Sequence, residues 1–277
     1  MVFPLQQMSI REHAELEIHF GARIIHRQGR FWRRVRPFFY RPVHGVEPVT
    51  EVVVPPPGAW LGGYQYAVAD VQRANSTLNF VMLDQLRTYS LENLGHRRRN
   101  LIRQASRHFH VRRVENLDEL KNQGYLAYRS FYERTRYSYR TDRLIKEKFD
   151  AWAETLFCHP KAILLGGYCS TGLMAVSCSY WIENSLNYTT FYAETGCLRR
   201  NIGEVMLHEL RLIAAAEPGI REILIRPYRG GESMDQYYLL RGGKVVRKPA
   251  RLELSRLGHA LLSRLRPADY ALLTGQA

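Results

Sequence analysis

Along the chain the spacing of apolar positions changes several times, and each change marks a new element. In the first part, short apolar runs are separated by turn residues. Gly29 lies between two segments rich in Ile, Val and aromatics, which predicts a hairpin around 26–32. Val52, Val53 and Val54 read as a strand that Pro55, Pro56, Pro57 and Gly58 must end, because prolines supply no ladder donors. A further apolar stretch covers 78–86, so the whole of this part reads as strands and turns.

From Ser90 onward the period switches cleanly between 3.6 and 2. A helix is predicted over 91–108 and a short strand over 109–114. Asn116 and Glu119, at capping-box spacing, open a second helix carrying Leu120, Tyr125, Tyr128 and Phe131. A third helix follows Thr141 and carries Phe149, Trp152 and Leu156. Strands over 162–168, 173–182 and 186–192, joined by Ser170-Thr171-Gly172 and Asn184-Ser185, form an antiparallel meander. Then come a helix over 202–216, the stop signal Pro218-Gly219, a strand over 222–226, a short helix over 233–240 and a closing strand over 244–252. The tail places Leu254, Leu257, Leu261, Leu262 and Leu265 on one helical face, with Arg256, Arg264 and Arg266 elsewhere around it.

Composition narrows the class. Hydrophobic residues at 45% and charged residues at 24% are globular values and exclude a disordered or fibrous chain, while 277 residues suit one large domain or two lobes. No run approaches the roughly 18 apolar residues of a membrane span, and the start lacks a basic region followed by an apolar one. A cytoplasmic protein is expected, with the basic amphipathic tail as a means of peripheral attachment at the inner membrane face. Cys158, Cys169, Cys178 and Cys197 form no CxxC pair, so neither a disulfide framework nor a structural zinc is expected, and no metal is assigned. The charge changes the picture most. Forty Lys+Arg against 26 Asp+Glu leave +14, which calls for a polyanionic neighbour: nucleic acid, an anionic membrane or a phosphate-bearing cosubstrate.

The order strand, helix, helix, three strands, helix, strand, helix, strand from Phe109 resembles the GNAT acyltransferase fold. The expected fold class is therefore α/β, a GNAT-like mixed sheet flanked by helices, with a smaller strand-rich N-terminal lobe that would be a reduced second GNAT lobe. The expected divisions are 1–89, 90–253 and a tail over 254–277.

Arg99, Arg103 and Arg107 recur at four-residue steps and form a basic stripe, while Leu94, Leu101, Ile102 and Ala105 face a core. The stripe fits contact with phosphates; taken as an arginine run alone, it fits better a solvated face pairing with acidic neighbours. The pattern Leu94, Arg99, Ile102, Arg103, Ala105 resembles a helix of the Fem-type peptidyltransferases, where a similar helix links two GNAT-like lobes. That resemblance, over about 78–251, implies transfer of an acyl group and admits aminoacyl-tRNA as donor, with Arg99 and Arg103 contacting RNA or phosphate.

Arg200-Asn201-Ile202-Gly203-Glu204-Val205 resembles the GNAT loop that holds the pyrophosphate of coenzyme A, with Arg200 and Gly203 matching and Val205 departing from the small residue of the pattern. It implies acyl-CoA as cosubstrate, held by Tyr192, Arg199, Arg200, Asn201 and Gly203. Tyr238-Leu239-Leu240-Arg241-Gly242-Gly243 resembles the segment whose tyrosine protonates the departing thiolate, with Gly243 in place of phenylalanine; Tyr237 competes for the inward position. Loss of a proton from an attacking amine calls for a carboxylate, and Glu194, at the end of the last meander strand, is expected to serve as base with a pKa raised by burial. Asp84 is the alternative base. Arg226, Tyr228 and Arg229 resemble a loop beside the acceptor in Fem-type relatives, and Cys197 reads as an incidental thiol. Arg134 to Arg140 interleaves arginines with tyrosines, a surface on which single-stranded nucleic acid could stack.

The expected function is acyl transfer from an acyl-CoA-type thioester to an amine-bearing acceptor. The alternatives are Fem-type transfer from aminoacyl-tRNA and a non-catalytic nucleic-acid-binding protein. An anionic membrane surface is a further expected partner.

Overall fold

The computed structural model describes residues 4–51, 53–136, 140–231 and 233–274. Val52, Tyr137, Ser138, Tyr139 and Glu232, which entered the readings above, lie outside the described residues. In chain order the elements are β1 (Gln7–Met8), α1 (Ile10–His19), β2 (Ile24–Arg27), β3 (Arg30–Arg36), β4 (Phe39–Pro42), β5 (Gly63–Ala67), β6 (Ser76–Leu83), α2 (His96–Ala105), β7 (His110–Arg113), α3 (Leu117–Glu119), α4 (Tyr125–Thr135) and α5 (Lys146–Cys158). They continue with β8 (Ala162–Cys169), β9 (Gly172–Ile182), β10 (Ser185–Ala193), α6 (Thr195–Arg199), α7 (Ile202–Ala216), β11 (Glu222–Pro227), α8 (Ser233–Leu239), β12 (Lys244–Leu254), α9 (Arg256–Leu265) and α10 (Pro267–Thr274). This is the expected mixed α/β class.

Contacts divide the chain into two compact units, Met1–Met8 with Leu83–Ile225, and Ser9–Met82 with Arg226–Ala277. The division runs differently from the expected cuts at 89/90 and 253/254. The reason is β12: it pairs antiparallel with β5 (Ala250↔Ala67 to Leu254↔Gly63) and with β6 (Lys244↔Met82 to Ala250↔Ser76), so its ladder partners come from the N-terminal segment.

In the first unit the meander forms as expected. β7, β8, β9 and β10 pair antiparallel in sequence order, and β11 joins β10 in parallel. β8 begins opposite Tyr180, and β1 takes up β9 from Trp181 to Ile182. Successive residues of β8 point to opposite faces. Over Gly167 lies α7: a Cβ there would stand 2.9 Å from Met206 Sδ and 3.0 Å from Ile202 Cδ1, so only glycine admits the helix this close. Gly166 faces Leu173, which with the Tyr192 hydroxyl also borders Gly124 at the start of α4. On that face Tyr128, Phe149, Trp152 and Tyr192 stack edge to face or tilted, with centroids 5.1–6.4 Å apart.

Two boundaries differ from the pattern. The helix expected over 91–108 begins only at His96, with Gly95 as its N-cap, because the Asn93 side chain donates to the Thr88 carbonyl and holds 88–93 in turns. The helix opened by Asn116 runs into a π-helical turn at Leu120–Gly124 before α4, and Gln123 there accepts the Leu173 N–H at 2.6 Å.

In the second unit the sheet order is β2-β3-β4-β5-β12-β6, with β4 and β5 parallel and the other neighbours antiparallel. The hairpin around Gly29 is β2–β3, with Gln28 and Gly29 both at positive φ. The reading of strands alone missed α1, although its signal is present: Ser9 accepts from the Glu12 N–H and Glu12 accepts from the Ser9 N–H, a complete capping box. No strand forms at Val53 and Val54. Trp32, Tyr40, Val49, Ala59, Tyr66 and Val68 make a buried core on one face of this sheet.

His13 on α1 and His44 are 7% and 6% exposed. Burial first, and then the charge of Arg33, push the His13 imidazole down to about 4. Burial and its neighbour His13 push His44 down to about 4 as well. Both are therefore neutral in the fold, and as pH falls below the ordinary value of 6.5 the unfolded chain takes up protons first. Stability is expected to be complete above pH about 6.5 and to fall towards pH 4, by on the order of 3 kcal/mol per imidazole. Urea midpoints at pH 7.5 and 5 check this; a flat profile, or an unchanged slope in His13→Gln/His44→Gln, would contradict it.

Candidate functional site

The chemistry named from sequence centres on the end of β10 in the first unit. β10 pairs with β11 only from Ser185↔Glu222 to Asn187↔Leu224, while against β9 it continues to Ala193. Past Asn187, then, no strand pairs with its β11 side among the described residues. Its register against β9 also shifts between Tyr188 and Thr190, a bulge that re-aims the backbone where pairing ends. The two strands part, and peptide groups facing the gap can meet a ligand carbonyl.

Glu194 follows β10 directly, and its carboxylate closes the next helix. Oε1 accepts the Gly196 N–H at 2.8 Å and Oε2 the Cys197 N–H at 2.7 Å, capping α6. Partial burial raises its pKa, but the hydrogen bonds from Gly196 and Cys197 and the charge of Arg199 outweigh it, and the net shift is downward. The expected upward shift is thus reversed: two N–H donors stabilise the charged form. A carboxylate so committed is a weak base. The Cys197 thiol, beside it and buried, is pushed up to about 12 by burial and by Glu194, which suits an inert thiol.

Tyr192 is 1% exposed, and its hydroxyl sits in the aromatic cluster without a hydrogen-bond partner. Burial holds that hydroxyl far above the ordinary phenol range. Its side chain therefore faces the core, and only its backbone belongs to the strand end. Thr195 is tied to α4 through Ser130, whose Oγ lies 3.0 Å from Thr195 Oγ1.

Arg199 and Arg200 are exposed, and the Arg200 guanidinium lies over the Phe109 ring, 5.2 Å from its centroid. Asn201 takes the left-handed conformation at φ 67° as N-cap of α7, without a side-chain capping bond. The first turn of α7 is closed. Ile202, Gly203, Glu204 and Val205 are all buried, and the Glu204 carboxylate, 4% exposed, is ion-paired with Arg98 of α2. A pyrophosphate binds a helix N-terminus through uncovered N–H groups. Here a carboxylate in the first turn already answers the positive end of the dipole.

On α2, Ile102 and Ala105 are buried as the pattern predicts. Arg103 and Arg107 are exposed, while Arg99 is half-buried and donates to the Glu92 carbonyl at 3.2 Å. Arg98 is the member of the run that turns inward. Asp84 is exposed.

Tyr238 belongs to the second unit, whereas Glu194 belongs to the first. Tyr238, not Tyr237, is the inward ring at 4% exposure, and burial raises its hydroxyl well above the ordinary phenol value, away from the range of an effective acid. Gly243 stands where phenylalanine was expected because a Cβ there would meet the Tyr238 carbonyl oxygen at 2.8 Å.

The loop 227–231 is organised by Asp235, a residue the sequence reading passed over. Asp235 is fully buried, accepts the Arg229 N–H at 2.9 Å and the Gly231 N–H at 3.2 Å, and lies 3.6 Å from Arg226 Nε. Arg226 thereby points at Asp235, and Arg229 remains exposed. In the same unit Arg41 donates to Gln65 Oε1 at 2.5 Å, and the fully buried Gln65 is itself held by Ser76 Oγ at 2.8 Å. Arg41 Nε is sealed from solvent with no acceptor among the described residues. Burial, then the charges of Arg36 and Arg229, push the Arg41 guanidinium down to about 10. Among the described residues no carboxylate contributes to that balance. Three guanidiniums that repel one another can hold an anion. Their proximity joins β3, β4 and the loop after β11, and no local sequence signal could have revealed it.

Among the described residues no group of three or more His, Cys, Asp or Glu could hold a metal ion. No helix among them is long and apolar enough to cross a membrane.

No family model and no curated protein matches the sequence. Solved structures do. The structure of L-PGS from Bacillus licheniformis superposes with a TM-score of 0.57 at 11% identity, over 96% of this chain and 92% of that one. The C-terminal domain (DUF2156) of an Agrobacterium fabrum protein described as a lysylphosphatidylglycerol synthetase gives 0.56 at 9% identity, over 97% and 98%. FemX gives 0.49 at 11% identity over 67% of this chain, which spans 63% of FemX. With its parted β10 and β11 and its helices on both faces of the meander, this chain has a GNAT-like mixed α/β fold, shared over nearly its full length with the first two of these structures.

Proposed function

We propose that the chain is an acyltransferase whose donor is an aminoacyl ester carried on RNA, with an amine-bearing acceptor. The observation that carries the choice of donor is the closed first turn of α7. A pyrophosphate on this turn would meet the Glu204 carboxylate, which is already ion-paired with Arg98, and the β-branched Val205, both unfavourable to a second anion. The net charge of +14, the exposed Arg97 and Arg103 on α2 and the exposed Arg107 in the turn after it favour a long polyanion over a single coenzyme. Two neighbours of nearly full length carry the name of a synthetase whose product bears an aminoacyl group, lysylphosphatidylglycerol, which supports aminoacyl transfer as the class.

The chemistry is substitution at an ester carbonyl. In the parted strands, peptide N–H groups of β10 beyond Asn187 would face the carbonyl oxygen as negative charge develops on it. The amine attacks the carbonyl carbon, the C–O bond to the ribose breaks, and the proton of the amine passes to solvent or to the leaving hydroxyl. Glu194 acts in this scheme by fixing α6 after the strand, and Tyr238 by packing α8. Within the second unit, the guanidiniums of Arg36, Arg41 and Arg229 would take a phosphate of the RNA.

Titration calorimetry of the intact protein with an acyl-CoA and with charged tRNA, repeated across a salt series, tests this. Charged tRNA is expected to bind, with log affinity falling steeply against log salt, and Arg103→Ala and Arg229→Ala each to reduce the slope by about one. Acyl-CoA is expected not to bind. Saturable acyl-CoA binding that is lost in Arg200→Ala would overturn the proposal, and retention of RNA with no transfer to any amine in single turnover would reduce it to binding alone.

A further inference from the structure

Within the second unit several exposed apolar side chains lie on and beside α9. Leu257, Leu261 and Leu265 are 56%, 48% and 74% exposed and stand at four-residue steps, so one stripe of the helix faces solvent. Its opposite side is anchored. Ser255 caps the helix by accepting the Gly258 N–H at 2.8 Å, donates from Oγ to the Leu61 carbonyl at 2.6 Å, and its N–H reaches the Gly62 carbonyl at 3.1 Å. Gly258 is itself buried against the Gly62 carbonyl, where a Cβ would stand at 2.4 Å. This contact fixes α9 beside the turn that carries Trp60, 76% exposed. Phe38, 45% exposed, adjoins the same turn, since its carbonyl accepts the Gly63 N–H at 3.0 Å. Tyr270 of α10 bonds His259 at 2.7 Å and holds the helical pair together. The five apolar side chains are therefore displayed on a braced scaffold, not on a loose tail.

From this display we infer that α9 and the Trp60 turn form a docking surface for an anionic phospholipid bilayer. Charge selects the occupant. Arg256, Arg264 and Arg266 are exposed around the leucine stripe, and Arg264 directly precedes Leu265, so the surface offers apolar insertion flanked by guanidiniums. Tryptophan suits the headgroup boundary, because its ring combines an apolar body with a polar N–H. A second copy of the chain fits less well. Pairing two such stripes would bring arginine against arginine, and a ten-residue helix offers too few turns for a stable coiled coil. The inference is independent of the choice of donor proposed above, because RNA binding and vesicle binding are separate measurements.

Flotation of the full chain with vesicles tests it: phosphatidylcholine alone, and phosphatidylcholine with 30% phosphatidylglycerol, an anionic fraction of about one lipid in three chosen to give a substantial surface potential. Binding is expected to the anionic vesicles and at least about tenfold weaker to the neutral ones. Leu257→Ser/Leu261→Ser/Leu265→Ser is expected to abolish flotation with an unchanged melting temperature, since the three side chains are exposed. Trp60 emission should shift to the blue on binding, and the shift should vanish in Trp60→Phe. Binding that is equal for the two vesicles, absent for both, or unaffected by the leucine substitutions overturns the inference. So does a dimer in sedimentation equilibrium that the same substitutions dissociate, because the stripe would then serve a second copy.

Discussion

Replacing Arg98 by methionine is expected to destabilise the first unit by about 3–5 kcal/mol, the range for removing one partner of a buried ion pair. Glu204 is 4% exposed and Arg98 22%, so loss of the guanidinium leaves the carboxylate in a nearly dry environment with less positive charge around it, that of Arg211 remaining. Helix geometry adds to the effect. Glu204 lies in the first turn of α7, whose dipole favours its charge, but the dipole alone contributes only about 0.3–1 kcal/mol and cannot replace the arginine. The double variant Arg98→Met/Glu204→Met removes the stranded charge, and its urea midpoint should return to near that of the parent. A single-variant loss below about 1 kcal/mol, the size of an exposed pair, would mean that the turn is open to water. The same outcome would reopen the helix end to a pyrophosphate.

Phe149→Ala is expected to cost about 3–5 kcal/mol, the price of a large cavity in a packed aromatic core. Phe149 is fully buried and meets Tyr125 and Tyr128 at 5.3 Å, Trp152 at 5.4 Å and Tyr192 at 6.4 Å between centroids. Four rings from α4, α5 and β10 lean on one side chain, so its removal loosens the support of the strand end where β10 leaves β11. Phe149→Leu keeps much of the volume and should cost clearly less. Thermal and urea unfolding measure both; equal losses would show that ring contacts, not volume, carry the stability, and a negligible loss in Phe149→Ala would show that the cluster collapses around the gap.

Much of the first unit was legible because its signals are local. Ser170-Thr171-Gly172 and Asn184-Ser185 placed the turns of the meander, and the leucines and isoleucines of residues 202–216 placed α7. The capping box at Ser9 and Glu12 was equally local and equally readable, yet the apolar residues of α1 are too few to announce a helix by periodicity. Glu194 shows the limit of reading a role from residue type. Its position at a strand end suggested a base, but a carboxylate two residues before a glycine N–H and three before a cysteine N–H is also an ideal cap, and the hydrogen bonds decided for the cap.

The sequence by itself determined the mixed α/β class, the meander followed by α7, the basic balance and the amphipathic character of α9, since each depends on neighbours within a few turns or strands. Tertiary structure alone decided which unit receives β12, that Arg98 rather than Arg99 turns inward to Glu204, and that the charges of Arg36 and Arg229 act on Arg41. Those outcomes depend on groups 106 or more positions apart in the chain, and on desolvation that no local pattern records.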